Sequence, residues 1–161
     1  MEMKQHRIIL VGAGGSGKDY LKQKFIDRGF KPSVSLTTRK PREGEITGKD
    51  YIFTSEQTFK TMIGENKFYE YKEFRGWYYG TQKSDFEDKS LFIMTPPAII
   101  EMDEETRKNS MVIYLDIDYE TRKSRLSSRN DADSVERRLR ADYVMFDKFS
   151  DYDLRITSPN F

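Results

Sequence analysis

The stretch Gly12-Ala13-Gly14-Gly15-Ser16-Gly17-Lys18-Asp19 indicates both the fold and the chemistry of this chain. An apolar run, Ile8-Ile9-Leu10-Val11, precedes it, and a segment with helical character, 20–28, follows it. A strand, a glycine-rich turn, a lysine and a helix together form the context of a phosphate-binding P-loop. The glycines let backbone N–H groups turn toward an anion, and the helix adds the positive end of its dipole. Because Lys18 adds a charge that can follow a phosphoryl group, we predict that 12–19 binds the phosphates of ATP.

One position of this loop departs from the P-loop pattern. The residue after the lysine is ordinarily Ser or Thr, whose hydroxyl binds Mg²⁺, but here it is Asp19. A glycine-rich turn in which Asp19 caps the helix is the structural alternative. Our hypothesis is that Asp19 holds hydrated Mg²⁺ directly or through water, since Mg²⁺ prefers oxygen ligands and keeps several waters.

The composition indicates one charged domain without cysteine. The chain has 161 residues, enough for a single domain with its own core. Its 28 basic and 27 acidic side chains give a formal net charge of +1, so charge gives no general reason to expect nucleic-acid or membrane binding. The absence of cysteine excludes disulfides and thiolate metal sites. Since no apolar run has the length of a signal peptide or a membrane span, we expect a cytoplasmic protein.

Apolar strands alternate with helices over most of the chain. The pattern predicts strands at 7–11, 33–36, 90–95, 111–115 and 154–157, and helices at 20–28, 54–64, 98–108, 119–127 and 134–149. Thr54 and Gln57 have the spacing of a capping box at the start of the second helix. This order predicts an α/β fold with a doubly wound parallel sheet of about five strands.

A region of smaller β elements interrupts that alternation between 37 and 79. The segment 68–79 is aromatic and breaks at Arg75-Gly76, which predicts a hairpin. Simple alternation would place Phe68, Glu70, Lys72 and Phe74 on one face of it. We therefore expect a β-rich insertion in the parallel-sheet core.

A polar, basic segment at 37–50 indicates a place for an acceptor phosphate. Arg39 and Arg42 lie three residues apart, with Tyr51 just beyond. Two guanidinium groups and a phenol are well suited to a phosphomonoester. For an isolated pair of arginines, a solvated basic loop would be the favoured alternative.

Two longer motifs favour the phosphate site over the solvated basic loop. The first runs Ser35-Leu36-Thr37-Thr38-Arg39-Lys40-Pro41-Arg42-Glu43-Gly44-Glu45 and continues with Gly48-Lys49-Asp50-Tyr51. The second is Phe68-Tyr69-Glu70-Tyr71 followed by Gly76-Trp77-Tyr78-Tyr79-Gly80-Thr81. Both closely resemble the nucleoside-monophosphate-binding segment of guanylate kinases, and 125–140 more weakly resembles the lid of that family. The resemblance implies one guanylate-kinase-like domain, with a core of 1–34 and 82–161, an acceptor-binding insertion of 35–81 and an arginine-bearing helical lid at about 125–140.

The resemblance also implies a reaction and the residues that carry it. The enzyme would use Mg²⁺ and transfer the γ-phosphoryl group of ATP to GMP or dGMP. On the acceptor side, the implied ligands of the phosphate are Arg39, Arg42, Tyr51 and Tyr79. Glu70 would accept hydrogen bonds from N1–H and the 2-amino group of guanine, Ser35 and Thr81 would donate to O6, and Glu45 would orient the arginines. Adenine would leave the Glu70 carboxylate facing a lone pair, which disfavours AMP.

On the donor side, the resemblance implies a mobile lysine and lid arginines. Lys18 would follow the migrating group, Arg129 and Arg138 would contact the transferring phosphates, and Arg125 would stack on adenine. Positive charge and exclusion of water are what phosphoryl transfer requires.

The chain also differs from the guanylate kinase pattern at a pair of acids. The family usually carries Leu-Asp-Ile-Asp at the end of the strand after the insertion, but Met94 and Pro96 stand at the acidic positions here. The same letters occur at Leu115-Asp116-Ile117-Asp118, one strand later, which we interpret as coincidence.

Two alternative functions remain open on the sequence. Gly-Lys-Asp also occurs in kinases of ribose 1,5-bisphosphate, which the chain resembles more distantly, so the acceptor could be a phosphorylated ribose. Such an acceptor has no use for a guanine-reading carboxylate at Glu70. The other alternative is a non-catalytic guanylate-kinase-like binding module, but those modules lose the P-loop lysine and glycines that are present here.

Overall fold

The computed structural model describes residues 7–128 and 134–161. The strands are β1 (Arg7–Gly12), β2 (Leu36–Thr37), β3 (Ile52–Phe53), β4 (Phe68–Phe74), β5 (Trp77–Gln82), β6 (Leu91–Ile93), β7 (Ser110–Leu115) and β8 (Leu154–Ile156). The helices are α1 (Lys18–Ile26), α2 (Glu56–Gly64), α3 (Lys83–Asp88), α4 (Pro96–Ile100), α5 (Glu104–Lys108), α6 (Tyr119–Ser127) and α7 (Val135–Phe146). These elements form two compact units: the second unit is Ser33–Lys89, and the first unit is the rest of the described chain.

The first unit is built on a parallel sheet with the strand order β6-β1-β7-β8. Its central strand β1 buries Ile9, Leu10 and Val11 completely, as expected of a parallel strand covered on both faces. Leu10 belongs to a cluster with Ile113 and Leu115 that packs against α1. On the opposite face of β7, the ring of Tyr114 stacks on Phe146 of α7 with 5.9 Å between centroids. Helices therefore cover both faces, and the predicted α/β fold is confirmed.

The parallel sheet has four strands in the described chain, rather than about five. The segment 33–36, which was expected to add a strand, does not join this sheet, and Pro32 directly before it makes a single bridge to Leu91. Proline has no N–H to donate, so it cannot extend a ladder of hydrogen bonds. Leu36, the last residue of the expected strand, instead forms β2 of the second unit together with Thr37.

The second unit is a mixed sheet with the order β3-β2-β5-β4. The predicted hairpin is formed by β4 and β5, and its two turn residues, Arg75 and Gly76, have φ values of 56° and 87°. Positive φ at both positions is the requirement of the tight turn that matches strand twist. Phe59 of α2 stacks on Phe68 at 4.4 Å between centroids and forms the core of this unit. The second unit extends past the expected insertion 35–81 because α3 packs on the hairpin, with Phe86 stacked on Tyr69.

Three local expectations were wrong, each for a local reason. The helix expected at 98–108 is broken into α4 and α5, because the Asp103 carboxylate caps α5 by accepting from the Thr106 N–H at 2.9 Å. The cap of α2 is Ser55, which accepts from the Thr58 N–H, so the Thr54–Gln57 box lies one residue too early. A register shift between Phe68 and Glu70 also breaks the alternation of β4, so these two side chains do not share a face.

Among residues 7–128 and 134–161, no helix is both long enough and apolar enough to cross a membrane.

Candidate functional site

The glycine-rich loop joins β1 to α1 and adopts the conformation that its glycines permit. Gly15 and Gly17 have φ values of 79° and 95°, and Gly17 is the N-cap of α1. A Cβ at Gly15 would lie 2.8 Å from the carbonyl oxygen of Arg122, so the close approach of α6 also requires glycine there. The Lys18 ammonium donates to the Gly12 carbonyl and thus lies back across the loop. The predicted P-loop therefore has the glycine-dependent turn and the lysine position that phosphate binding requires.

The loop residues Ser16 and Asp19 bear on the predicted magnesium site. The Ser16 side chain is 1% exposed, and its hydroxyl has no hydrogen-bond partner in the described part of the chain. Asp19 is exposed in the first turn of α1. Within the described ranges, no three His, Asp or Glu side chains cluster as a metal site. A single carboxylate beside a phosphate loop nevertheless fits Mg²⁺, which is usually held by one or two carboxylates together with substrate phosphates.

The predicted lid arginines lie in different environments. Arg125 of α6 donates from Nη1 to the Gly15 carbonyl at 3.0 Å and from Nη2 to the Pro159 carbonyl at 3.2 Å. Arg138 of α7 is buried, and its Nη2 lies 3.4 Å from the point where a Cβ on Gly14 would stand. Arg129, the third predicted lid residue, lies outside the described residues. The structure thus places Arg125 and Arg138 beside the P-loop.

Asp142 also lies against the P-loop, although no sequence pattern indicated this contact. Its Oδ2 accepts a hydrogen bond from the Gly14 N–H at 2.9 Å, and the side chain is only 4% exposed. Asp142 follows Arg138 by four residues on α7, so both side chains lie on the same face of that helix. That spacing was visible in the sequence, but nothing there indicated that this face meets the loop.

In the second unit, the buried Arg39 forms an ion pair with the partly buried Glu45. The Arg39 guanidinium donates from Nη1 and Nη2 to the two carboxylate oxygens of Glu45 at 2.9 and 3.1 Å. Arg39 is 4% exposed, and the Arg42 N–H also donates to Glu45, at 2.6 Å. Burial alone would raise the pKa of Glu45, but the hydrogen bonds from Arg39 and the Arg42 backbone outweigh it and lower that pKa. The Glu45 carboxylate therefore binds the side chain of Arg39 and the backbone of Arg42.

Aromatic rings complete the surroundings of Arg39. Its guanidinium carbon lies 5.2 Å from the ring centroid of Tyr51, and the rings of Tyr51 and Tyr79 are 6.1 Å apart. The backbone of Tyr79 pairs with Thr37 on the neighbouring strand β2. The structure thus brings three of the predicted phosphate ligands together around one buried charge.

The predicted guanine-reading groups meet on the hairpin. The Thr81 hydroxyl donates to Oε1 of Glu70 at 2.8 Å, from the strand opposite. The irregularity after Phe68 lets that ring pack in the core while Glu70 faces the other side, with Thr81. Ser35, the other predicted donor to O6, is half-buried, and its carbonyl accepts from the Ile52 N–H at 2.9 Å. Glu70 and Thr81 thus form a carboxylate–hydroxyl pair that can present acceptors and a donor to a base edge.

The altered acidic positions have apolar roles. Met94 is 4% exposed, and Pro96 is buried in the first turn of α4. Of the similar letters one strand later, Asp116 accepts from Arg155 at 2.6 Å and Asp118 caps α6 through the Thr121 N–H at 2.9 Å. Both acids therefore make local structural contacts, as an ion pair and as a helix cap.

Comparison with known proteins identifies the family of this chain. The family model described as guanylate kinase matches residues 4–129. This chain belongs to the guanylate kinase family. The match includes the P-loop, the second unit and α6, so it covers most of the residues described above.

Curated relatives match a shorter segment. The guanylate kinase of Lactobacillus delbrueckii subsp. bulgaricus is 46% identical over 77 residues, which are 46% of this chain and 38% of the relative. The guanylate kinase of Synechocystis sp. is 41% identical over 91 residues, which are 54% of this chain and 47% of the relative. This chain therefore matches less than half of the length of these two family members.

The fold agrees with a solved guanylate kinase. The crystal structure of guanylate kinase from Anaplasma phagocytophilum superposes with a TM-score of 0.70 and covers 97% of this chain and 78% of the other. The sequences are 21% identical in that comparison, so it supports the fold alone.

Proposed function

We propose that this protein is a nucleoside monophosphate kinase that transfers the γ-phosphoryl group of ATP to GMP or dGMP, giving ADP and GDP or dGDP. The observation that carries the proposal is the second unit, where the Arg39–Glu45 pair lies beside two tyrosines and Glu70 lies beside Thr81. A phosphate site and a base-reading carboxylate in one compact unit suit a nucleoside monophosphate. The relatives named guanylate kinase support the same assignment.

The acceptor phosphate would bind to guanidinium and phenol groups that already lie together. Glu45 neutralises and orients Arg39 from one side, and the bidentate bond fixes the plane of the guanidinium. Tyr51 and Tyr79 add phenol groups close to that charge. Because these groups are held in place before GMP binds, little ordering is required at the moment of binding.

Base recognition would follow from donor and acceptor matching at Glu70. Guanine offers N1–H and a 2-amino group as neighbouring donors, and a carboxylate accepts from both. Thr81 and Ser35 would donate to O6, once the Thr81 hydroxyl turns from Glu70 to the base. Adenine has no donor at N1, so AMP would leave the carboxylate unpaired, which costs binding free energy.

The donor phosphates would bind to the P-loop of the first unit. Backbone N–H groups of 14–19 and the Lys18 ammonium would compensate the charge of the phosphates, and Arg138 would add positive charge as the group moves. Asp19 would hold Mg²⁺, and the metal, when bound, neutralises charge on the phosphate oxygens. No covalent intermediate is needed, since positioning and charge stabilisation account for this class of reaction. A cytoplasmic location is part of this proposal, because the proposed substrates are ATP and a guanine nucleotide.

A coupled ADP-release assay with a panel of acceptors tests the proposal. GMP and dGMP should support turnover, whereas AMP, dTMP and a phosphorylated ribose should not. Preference for phosphorylated ribose would favour the alternative sugar-phosphate kinase. If none of the acceptors supported turnover, a non-catalytic binding module would be favoured. Glu70→Gln should reduce kcat/KM for GMP by about 100-fold or more, because the amide presents a donor to N1–H or its neighbour. The matched control is Glu73→Gln, an exposed residue of the same strand.

A further inference from the structure

The carboxylate of Asp142 takes a hydrogen bond from the loop that is proposed to bind phosphate. Its Oδ2 lies 2.9 Å from the Gly14 nitrogen, and the residue is 4% exposed. The N–H groups of a P-loop serve to receive an anion, so this internal carboxylate makes the kind of contact that a phosphate oxygen makes.

Arg138, which is also on α7, lies beside Gly14 as well. The point where a Cβ on Gly14 would stand is 3.1 Å from Asp142 Oδ2 and 3.4 Å from Arg138 Nη2. Both residues are buried, and they lie four residues apart on α7. A buried carboxylate requires compensating charge and donors, and the Gly14 N–H together with the nearby guanidinium supplies them.

A nucleotide that enters this loop adds a second anion beside Asp142. Two like charges a few ångström apart in a partly buried site repel strongly, because water screens them poorly. Phosphate binding must therefore displace the carboxylate or proceed at reduced affinity. The proposed role of Arg138 has the same consequence, since a guanidinium that turns to the phosphates leaves the carboxylate less compensated.

The structure offers a place to which the displaced carboxylate can turn. Asp142 and Ala13 line a cavity of about 350 Å³, together with Arg122 of α6. Nη1 of Arg122 has no hydrogen-bond partner within the described ranges, while its Nε donates to the Ile117 carbonyl at 3.0 Å. Besides Asp142, two acids and three cations line this cavity, so an acid leaving the loop meets net positive charge there; the cations are Arg122, Lys148 and Arg155.

From these contacts we propose that Asp142 is an internal competitor for the P-loop: its carboxylate substitutes for a phosphate at Gly14 in the nucleotide-free protein and is displaced when ATP binds. The inference rests on the proposed function, because it takes the loop as the ATP site. It makes Asp142 a positioning residue that lowers the affinity for ATP and holds α7 against the loop.

Titration calorimetry on Asp142→Asn tests the proposal, with MgATP and inorganic tripolyphosphate as the two ligands. The amide keeps an oxygen for the Gly14 N–H but has no charge. We expect both ligands to bind at least about fivefold more tightly to the variant than to the wild type. Glu136→Gln, which also replaces an acid by its amide at an exposed position in the first turn of α7, should leave both affinities unchanged.

The outcomes separate this proposal from the proposed function. Equal or weaker binding by Asp142→Asn, with clear binding by the wild type, overturns the role of Asp142 and leaves the ATP site intact. Binding by the variant alone supports the competitor role in its strongest form. If neither protein binds either ligand, the ATP site and the competitor role both fail.

A measurement on the unaltered chain makes the test independent of how the variant folds. Saturation with tripolyphosphate should shift the carbon NMR signal of the Asp142 side-chain carboxyl group, because that group loses the hydrogen bond from the Gly14 N–H. An unchanged carboxyl signal at saturation would mean that the contact is only structural, and would overturn the proposal.

Discussion

Arg39 and Glu45 show how a single buried pair can prepare a phosphate site. Each carboxylate oxygen accepts from one guanidinium nitrogen, and the Arg42 N–H adds a further bond to the same acid. The predicted role of Glu45, to orient the arginines, would use these hydrogen bonds. It could be anticipated because the three residues lie within one short loop. The contact of Asp142 could not be anticipated in this way, because its partner Gly14 lies 128 positions away in the chain.

Glu45→Gln should remove part of the acid sensitivity of unfolding. The folded pKa of Glu45 lies below its ordinary value of 4.5, so its charge contributes stability that is complete above pH 4.5. That contribution is lost as the pH falls through the folded pKa. At pH 7, urea unfolding should give the variant a free energy of unfolding about 1.5–3 kcal/mol lower than that of the wild type, and this difference should narrow toward pH 3. A difference that does not change with pH would contradict the ion pair. Glu43→Gln, at an exposed neighbouring residue, is the control.

Substitutions at Asp19 test the magnesium hypothesis. Asp19→Ala should abolish MgATP-dependent turnover, because it removes the oxygen ligand, while Asp19→Ser should retain part of it by restoring the usual hydroxyl. The coupled ADP-release assay measures both. Equal activity in the wild type and the two variants would refute the assignment.

The β4–β5 hairpin is the element on which the acceptor side depends. Its irregular register turns Phe68 into the core and Glu70 to the opposite face. Gly80 of β5 packs under the Phe68 ring, where a Cβ would lie 2.7 Å from two of the ring carbons. The aromatic core and the proposed base-reading pair, Glu70 and Thr81, are therefore built on the same two strands.

Gly80→Ala should destabilise the protein by about 1–3 kcal/mol, because the added methyl group must displace the Phe68 and Phe59 rings. Gly64→Ala is the matched control, since a Cβ at that helix position meets nothing within 4 Å. It should be neutral or slightly stabilising. Denaturant unfolding measures the free energy of unfolding of both variants. Similar values would contradict the prediction, because they would mean that the Phe68 and Phe59 rings can move aside without destabilising the protein.

Elements with a strong local signal were predicted well from the sequence. The β1–loop–α1 unit, the break of the hairpin at Arg75-Gly76 and the helix at 119–127 all follow from apolar periodicity and turn chemistry. The errors arose where one side chain or one hydrogen bond decided the outcome, as at the Asp103 cap and at Pro32. The irregular register of β4 depends on which strand it pairs with, so no local pattern could show it.

Across the whole molecule, the two units divide the proposed work between ATP and the acceptor. The P-loop belongs to the first unit, and all eight predicted acceptor ligands belong to the second unit. Each ligand should therefore stabilise the protein when it is added alone, since a compound that binds only the folded chain raises its stability.

Thermal unfolding with single ligands measures this division. At about 100 times its dissociation constant, MgATP or GMP should add about 2.7 kcal/mol, or about 5–10 °C in Tm for a chain of this size. AMP at the same concentration as GMP should leave Tm nearly unchanged if the first unit is saturated with ATP. A shift with AMP as large as with GMP would argue against recognition of guanine by Glu70.

The single tryptophan of the chain, Trp77, begins β5 directly after the hairpin turn. Its indole emission consequently originates in the second unit, two residues from Tyr79 along the strand. A spectrofluorimeter would thus follow GMP titrations without any attached dye. Any response of that emission to ATP alone would be an optical signal that the two units communicate. The ratio of the GMP dissociation constants with and without ATP, measured by the same emission, would give the coupling between the two ligands.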